Sequence, residues 1–134
     1  MRHLPPLFFE RPFWLQLVGG IVVPAVFGIL TGFTLSVNEI LYYVMAGPLA
    51  LAGGFLAGIE HRGADEGFVR GAVGGLIFGS FILLGNEILN PDETKAHLPE
   101  PQVGLVFVTT LVGAILGAIG GAWRARQDRT AQVA

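Results

Sequence analysis

The chain has 134 residues, of which 52% are hydrophobic and only 13% are charged, and its formal net charge is −2. The charged share is about half that of an ordinary soluble domain, so the composition excludes a typical soluble protein and indicates a membrane protein. The absence of cysteine excludes disulfides, thiolate metal sites and iron–sulfur clusters.

The first two apolar stretches cover residues 13–37 and 40–59. Each approaches or exceeds the ~20 residues that a helix needs to cross a bilayer. The first is too long for a signal peptide, and the short outer connection after it predicts a tight helical hairpin. Pro24 and Pro48 lie near the middle of these spans, where proline removes a backbone hydrogen bond. We therefore expect a fixed bend in each helix.

The second half of the chain repeats this organisation, with spans predicted over 68–89 and 103–123. A cytoplasmic loop over 60–67 precedes them, and an outer loop over 90–102 separates them. The sequence therefore predicts one all-α transmembrane domain over residues 1–134, an integral membrane four-helix bundle.

The basic residues predict the orientation of this bundle. Every arginine falls on one side of the predicted membrane, whereas the other side holds only Lys95. The positive-inside rule then places both termini and the central loop in the cytoplasm, in a bacterial-type inner membrane. The arginines that mark this side are Arg2, Arg11, Arg62, Arg70, Arg124, Arg126 and Arg129.

Small residues recur every four positions in all four spans, which keeps them on one face of each helix. Helices without side chains at such a face pack closely in a membrane. We expect glycine-zipper packing within the protomer, and an oligomer interface along one of these faces is the alternative. The predicted packing glycines are Gly20, Gly28, Gly32, Gly54, Gly58, Gly71, Gly75, Gly79, Gly113, Gly117 and Gly121.

A four-residue segment, Asn-Glu-Ile-Leu, occurs at residues 38–41 and again at 86–89. Each copy lies at the outer end of an odd-numbered predicted span. The shared position predicts two helical hairpins in tandem, related by an axis along the membrane normal.

The repeated segment also supplies a candidate ion or proton site. Glu39 and Glu87, with Asn38 and Asn86 beside them, would face each other across the outer mouth if the two hairpins are equivalent. Paired carboxylates share a proton or attract a cation. The alternative is that these side chains lie among the lipid headgroups, where a charge costs little.

The sequence gives little evidence for metal binding, catalysis or nucleotide binding. The central loop contains His61 among several acids, but without metal-ligand spacing, and we interpret it as a solvated turn. All histidines lie outside the spans, and no nucleophile elbow or phosphate-binding loop is present. We predict no catalytic residue, no metal, no cofactor and no nucleic acid partner.

Two functions remain open after these exclusions. The first is a structural or accessory membrane protein that packs in the bilayer with itself or with a larger membrane partner. The second is an oligomeric cation channel or transporter with an acidic outer mouth. The first is favoured because few polar groups occur within the spans, and hydroxyl groups there can bond to their own helix.

Overall fold

The computed structural model describes residues 4–89 and 102–134, and all its long elements are helices. Four of the helices are long and apolar enough to cross a membrane, which confirms the prediction of an all-helical protein with four such helices. These are α1 (Phe13–Leu35), α2 (Glu39–Ile59), α3 (Ala64–Leu89) and α4 (Gly104–Val133).

Two helices extend beyond their predicted ends. α3 begins at Ala64 rather than at residue 68, because Asp65 and Glu66 occupy its first turn, where carboxylates are favourable. α4 continues as helix to Val133, well past the predicted end at residue 123. The connection between α2 and α3 is therefore shorter than the predicted loop, while most of the outer loop predicted over 90–102 lies outside the described residues.

The two prolines within α1 and α2 occupy different backbone settings. In α1, a π-helical turn over Val18–Val22 comes just before Pro24. Pro24 has no N–H to donate, and π turns are a common place for the backbone hydrogen-bond ladder to be interrupted. α2, by contrast, continues as α-helix on both sides of Pro48.

The order of the helices in space differs from their order in the chain. α3 and α4 share the largest interface, α1 packs on α3, and α2 packs on α4. α1 and α2 contact each other least among the pairs of long helices that touch. The described helices thus follow the spatial order α1, α3, α4, α2, and α2 also contacts α3 more than it contacts α1.

Glycines permit the close approach of α3 and α4. A β-carbon on Gly71 would collide with the Gly113 carbonyl oxygen, and one on Gly117 would collide with that of Gly67. This descending order of partners shows that the helices run antiparallel. A β-carbon would also come within 3.0 Å of a neighbouring helix at Gly28, Gly32, Gly54, Gly58, Gly75, Gly79, Gly85 and Gly120, while one on Gly121 would meet the Gly63 carbonyl.

A cluster of large side chains fills one end of the bundle. Its buried members are Leu35, Tyr42, Phe78, Ile82 and Leu105. Because Leu35 ends α1 and Tyr42 lies in the first turn of α2, we name this the connection end. The opposite end, where α1 begins, α2 ends and α3 begins, is named the terminal end.

Candidate functional site

The segment before α1 lies across the terminal end of the bundle. The Phe8 N–H donates a hydrogen bond of 2.9 Å to the Glu60 carbonyl, just after α2. The Arg11 guanidinium lies 2.8 Å from a Glu60 carboxylate oxygen, and the Gln16 side chain donates to the Arg11 carbonyl at 2.9 Å. Residues 4–12 are therefore fixed to the helices that they cover.

Arg124 joins this segment to α2 and α4. Its side chain is buried, and its Nη1 donates to the carbonyls of Pro5 at 2.7 Å and Ile59 at 3.0 Å. Its Nε also donates to the Asp128 carboxylate at 3.3 Å. Since Ile59 ends α2, its carbonyl has no partner within that helix, and Arg124 supplies one. The sequence had suggested only a topological role for this arginine.

His61 is buried in the turn between α2 and α3, which the sequence had suggested to be solvated. Its ring stacks on Phe8 and meets the edge of Phe9, both at 5.6 Å between centroids. Burial lowers the pKa of His61, the charge of Arg70 lowers it further, and Glu66 and Glu60 oppose the shift. Neither ring nitrogen has a hydrogen-bond partner, so the neutral imidazole is favoured.

Arg70 points into the bundle from α3. It lies six residues after Ala64, which places its backbone about 9 Å along the helix. Its Nη2 donates a 2.9 Å hydrogen bond to the Gly19 carbonyl in the π-helical turn of α1, and its Cζ lies 5.1 Å from the centre of the Phe8 ring. A β-carbon on Gly74 would lie 3.3 Å from Nη1, so the guanidinium reaches toward the connection end.

This orientation is unusual for an arginine near a helix end. Long basic side chains in membranes normally extend toward the headgroups, and a charge held inside a bundle is costly and commonly functional. The Arg70 Nε has no hydrogen-bond partner in the structure. The sequence had suggested only a topological role for Arg70, whereas its geometry makes it the principal candidate functional residue.

Arg70 borders a cleft between α1 and α2, which we name the α1–α2 cleft. It has a volume of about 470 Å³ and a largely apolar lining that includes Val23, Phe27, Gly53 and Ala57. Among the residues that the structure describes, Arg70 and Glu60 are the charged ones in this lining. A second cavity of about 560 Å³ lies on the other side of Arg70 and is bordered by Phe8 and His61.

The residues of the predicted ion site occupy unlike positions at the connection end. Asn38 caps α2 by accepting a hydrogen bond of 3.1 Å from the Leu41 N–H, and Glu39 lies in the first turn of that helix. Asn86 and Glu87 instead lie in the last turn of α3, where Asn86 is buried with its Oδ1 unpartnered and Glu87 is exposed. The two copies of the segment are therefore not structurally equivalent, and the ion site stays a prediction.

The chain matches no family model, and no curated protein or solved structure matches it at a significant level. Within residues 4–89 and 102–134, no group of three or more metal-ligating side chains is placed to hold an ion.

Proposed function

We propose that the chain is a non-enzymatic membrane protein of structural or accessory type, which packs with itself or with a larger membrane partner. The observation that carries this proposal is the close backbone packing of α3 against α4 at Gly67, Gly71, Gly113 and Gly117. We name this interface between α3 and α4 the α3–α4 seam. Such packing makes a compact scaffold and leaves no space for a pore between the two helices. We interpret it as a glycine zipper within the protomer.

The hydroxyl groups within the spans support the same proposal. Thr31 donates to the Phe27 carbonyl at 2.7 Å and Thr34 to the Thr31 carbonyl at 2.6 Å, both within α1. Thr109 donates across the α3–α4 seam to the Gly75 carbonyl at 2.8 Å. A hydroxyl that already donates to a backbone carbonyl has no proton left to donate to water or to a transported ligand, which makes it a weaker candidate for lining a pathway.

The outer surface of the bundle offers apolar area to lipid or to a partner. One exposed stripe follows α4 through Val108, Leu111, Ile115 and Ile119. Because these residues are three or four apart, they share one helix face. We propose further that the terminal end, which carries the arginines, faces the cytoplasm of a bacterial-type cell.

Reconstitution into liposomes separates this proposal from the alternative of a cation channel. We expect that proteoliposomes loaded with a potassium- or proton-sensitive dye leak no faster than protein-free vesicles. The double variant Glu39→Gln, Glu87→Gln is expected to behave like the unmodified chain. Cation flux that requires the protein and disappears in the double variant would overturn the accessory function.

A separate measurement tests the proposed association of the chain with itself or with a membrane partner. We expect native mass spectrometry and analytical ultracentrifugation in a mild detergent to show either a defined oligomer or a stoichiometric complex with one membrane protein. A chain that stays monomeric in detergent and in nanodiscs, and that cross-links to no neighbour in its native membrane, would contradict it.

A further inference from the structure

We propose that the α1–α2 cleft binds an acyl chain of an anionic phospholipid from the leaflet at the terminal end, with the lipid phosphate held by Arg70. This inference goes beyond the accessory function and does not depend on it. It depends on the shape of the cleft, on its apolar lining and on the charge at one end of it.

The shape of the cleft suits a chain better than a helix. On α1 the lining runs from Gly19 to Phe27, a length of about 12 Å. A partner helix would need a groove along the whole span, whereas Phe78 and Leu49 close this one toward the connection end. Its volume of about 470 Å³ lies within the ~300–1,000 Å³ that is usual for small-molecule sites.

The lining leaves room at two glycines. A β-carbon on Gly19 or on Gly53 would meet no atom within 4 Å, although both residues border the cleft. The same α1 and α2 faces carry Val23, Phe27 and Ala57, which are apolar. An acyl chain would cover these side chains and would bury the apolar surface that the loose α1–α2 contact leaves open.

The charges at the mouth of the cleft favour an anion. Glu60 is paired with Arg11 at 2.8 Å, whereas Glu66 borders the second cavity and not the cleft, and accepts a hydrogen bond of 3.3 Å from the Arg62 N–H. Arg70 donates one hydrogen bond to a neutral carbonyl and faces one aromatic ring, while its Nε has no partner. Arg11, Glu60 and Arg70 together thus retain one positive charge, which a phosphate would compensate through charge-assisted hydrogen bonds.

The depth of Arg70 agrees with a phospholipid as the source of this anion. The polar region of a bilayer is about 5–7 Å thick on each side, and the Arg70 backbone lies about 9 Å from the start of α3. With the start of α3 at the membrane surface, the Arg70 backbone lies a few ångströms beyond the headgroup region, and a phosphate bound there would sit slightly deeper than those of the surrounding lipids. A lipid bound there would place its phosphate at Arg70 and extend a chain toward Phe27.

Native mass spectrometry with lipids of matched chains tests the proposal. The full chain in a neutral detergent is titrated with phosphatidylglycerol and, separately, with phosphatidylcholine. We expect phosphatidylglycerol to be retained about tenfold better or more, because it carries a net negative charge, whereas the choline ammonium of phosphatidylcholine already compensates its phosphate. Arg70→Gln should reduce this ratio to about one, because the uncompensated charge is lost.

A pair of substitutions on α2 tests the cleft itself. Gly53→Leu would fill the cleft, whereas Gly47→Leu places the same side chain on the same helix, outside the cleft and also in open space. We expect Gly53→Leu to lose both lipids and Gly47→Leu to bind like the unmodified chain. Circular dichroism and elution volume check folding, and Gly19→Leu is a second way to fill the cleft.

Three results would overturn the proposal. They are equal lipid retention by the Gly53→Leu and Gly47→Leu variants, an unchanged preference for phosphatidylglycerol in Arg70→Gln, and full competition by soluble glycerol phosphate, which would indicate a site for free anions. A chain that self-associates but fails these tests would retain its accessory function. A chain that passes them but conducts cations would lose the accessory function and keep the lipid site.

Discussion

Arg124 donates three hydrogen bonds at a point where the N-terminal segment, the end of α2 and the body of α4 meet. Two of its acceptors are backbone carbonyls, of Pro5 and Ile59, that lie far from it in sequence. Both carbonyls belong to half-buried residues, so a carbonyl that loses its donor here loses the bond and is left partly desolvated. Arg124 therefore stabilises the fold as well as contributing to the charge of its membrane face.

Replacement of Arg124 by glutamine tests this stabilisation. We expect Arg124→Gln to lower the free energy of unfolding by ~1–3 kcal/mol, because the shorter side chain leaves two carbonyls without their donor. Thermal unfolding in a fixed detergent measures the change. The matched control is Arg126→Gln, on an exposed position of the same helix. Equal melting temperatures for the two variants would contradict the prediction.

His61 predicts a dependence of stability on pH. Burial lowers its pKa in the folded chain below the ordinary value of 6.5, so the unfolded chain binds more protons between those two values. Stability should therefore rise with pH through that window and fall as the pH drops below 6.5. Melting temperatures from pH 7.5 to 5 measure the effect. His61→Phe should flatten the curve, and a variant with the same slope as the unmodified chain would show that other groups cause it.

At the scale of elements, the seam between α3 and α4 depends on the absence of side chains. We expect Gly71→Ala to destabilise the bundle by ~1–3 kcal/mol, because the added methyl group meets the Gly113 carbonyl. Gly47→Ala, in open space on α2, should be neutral or stabilising, since alanine favours helix over glycine. Chemical or thermal unfolding compares the two. If both variants unfold alike, close packing at Gly71 is not what stabilises the seam.

The helical fold and the number of long helices were predictable from the sequence, because each long helix corresponds to one apolar stretch of membrane-spanning length. The spacing of four also identified glycines that meet a neighbouring helix, but a spacing carries no information on which helix that is. The predicted tandem hairpins placed α1 beside α2, whereas α1 packs chiefly on α3. Gly85 and Gly120, which also approach a neighbouring backbone, lie outside the predicted set.

The repeated segment shows why identical residues need not have identical roles. Residues 36–38 lie outside helix, so the side chain of Asn38 is free to cap the helix that follows. Asn86 continues a helix that is already formed, and its side chain is buried. Sequence identity does not distinguish these settings, because the difference depends on where the preceding helix ends.

The candidate site around Arg70 was less predictable than the fold. The distribution of charges in the sequence identified Arg70 as a basic residue near a membrane boundary. It could not predict that the side chain points into the bundle, because that direction depends on neighbours such as Gly19 and Phe8. One signal that bears on this was present in the sequence: Phe8 and Phe9 come shortly before the first span, and Phe13 begins it, so three phenylalanines lie near its start. Such a group suggests contact with the membrane or the bundle, and Phe8 does pack against Arg70, Gly20 and His61.

At the scale of the whole molecule, the natural absence of cysteine provides a direct test of orientation. Val37→Cys lies in the exposed connection between α1 and α2, and Ala131→Cys lies in the exposed tail of α4. In intact spheroplasts we expect a membrane-impermeant maleimide to label position 37 only. Position 131 should require permeabilised cells, because we propose that the arginine-rich end faces the cytoplasm. The reverse pattern would invert the proposed topology.

The contact of Arg124 with the Pro5 carbonyl also orders the events of biosynthesis. A chain leaves the ribosome from its N-terminus, so the early segments are complete long before residue 124 has been made. The carbonyls of Pro5 and Ile59 therefore cannot accept hydrogen bonds from Arg124 until α4 has been synthesised. The contacts of Phe8 and Arg11 with Glu60 need only the first two helices, so the terminal end is partly closed early and is completed when Arg124 arrives with α4.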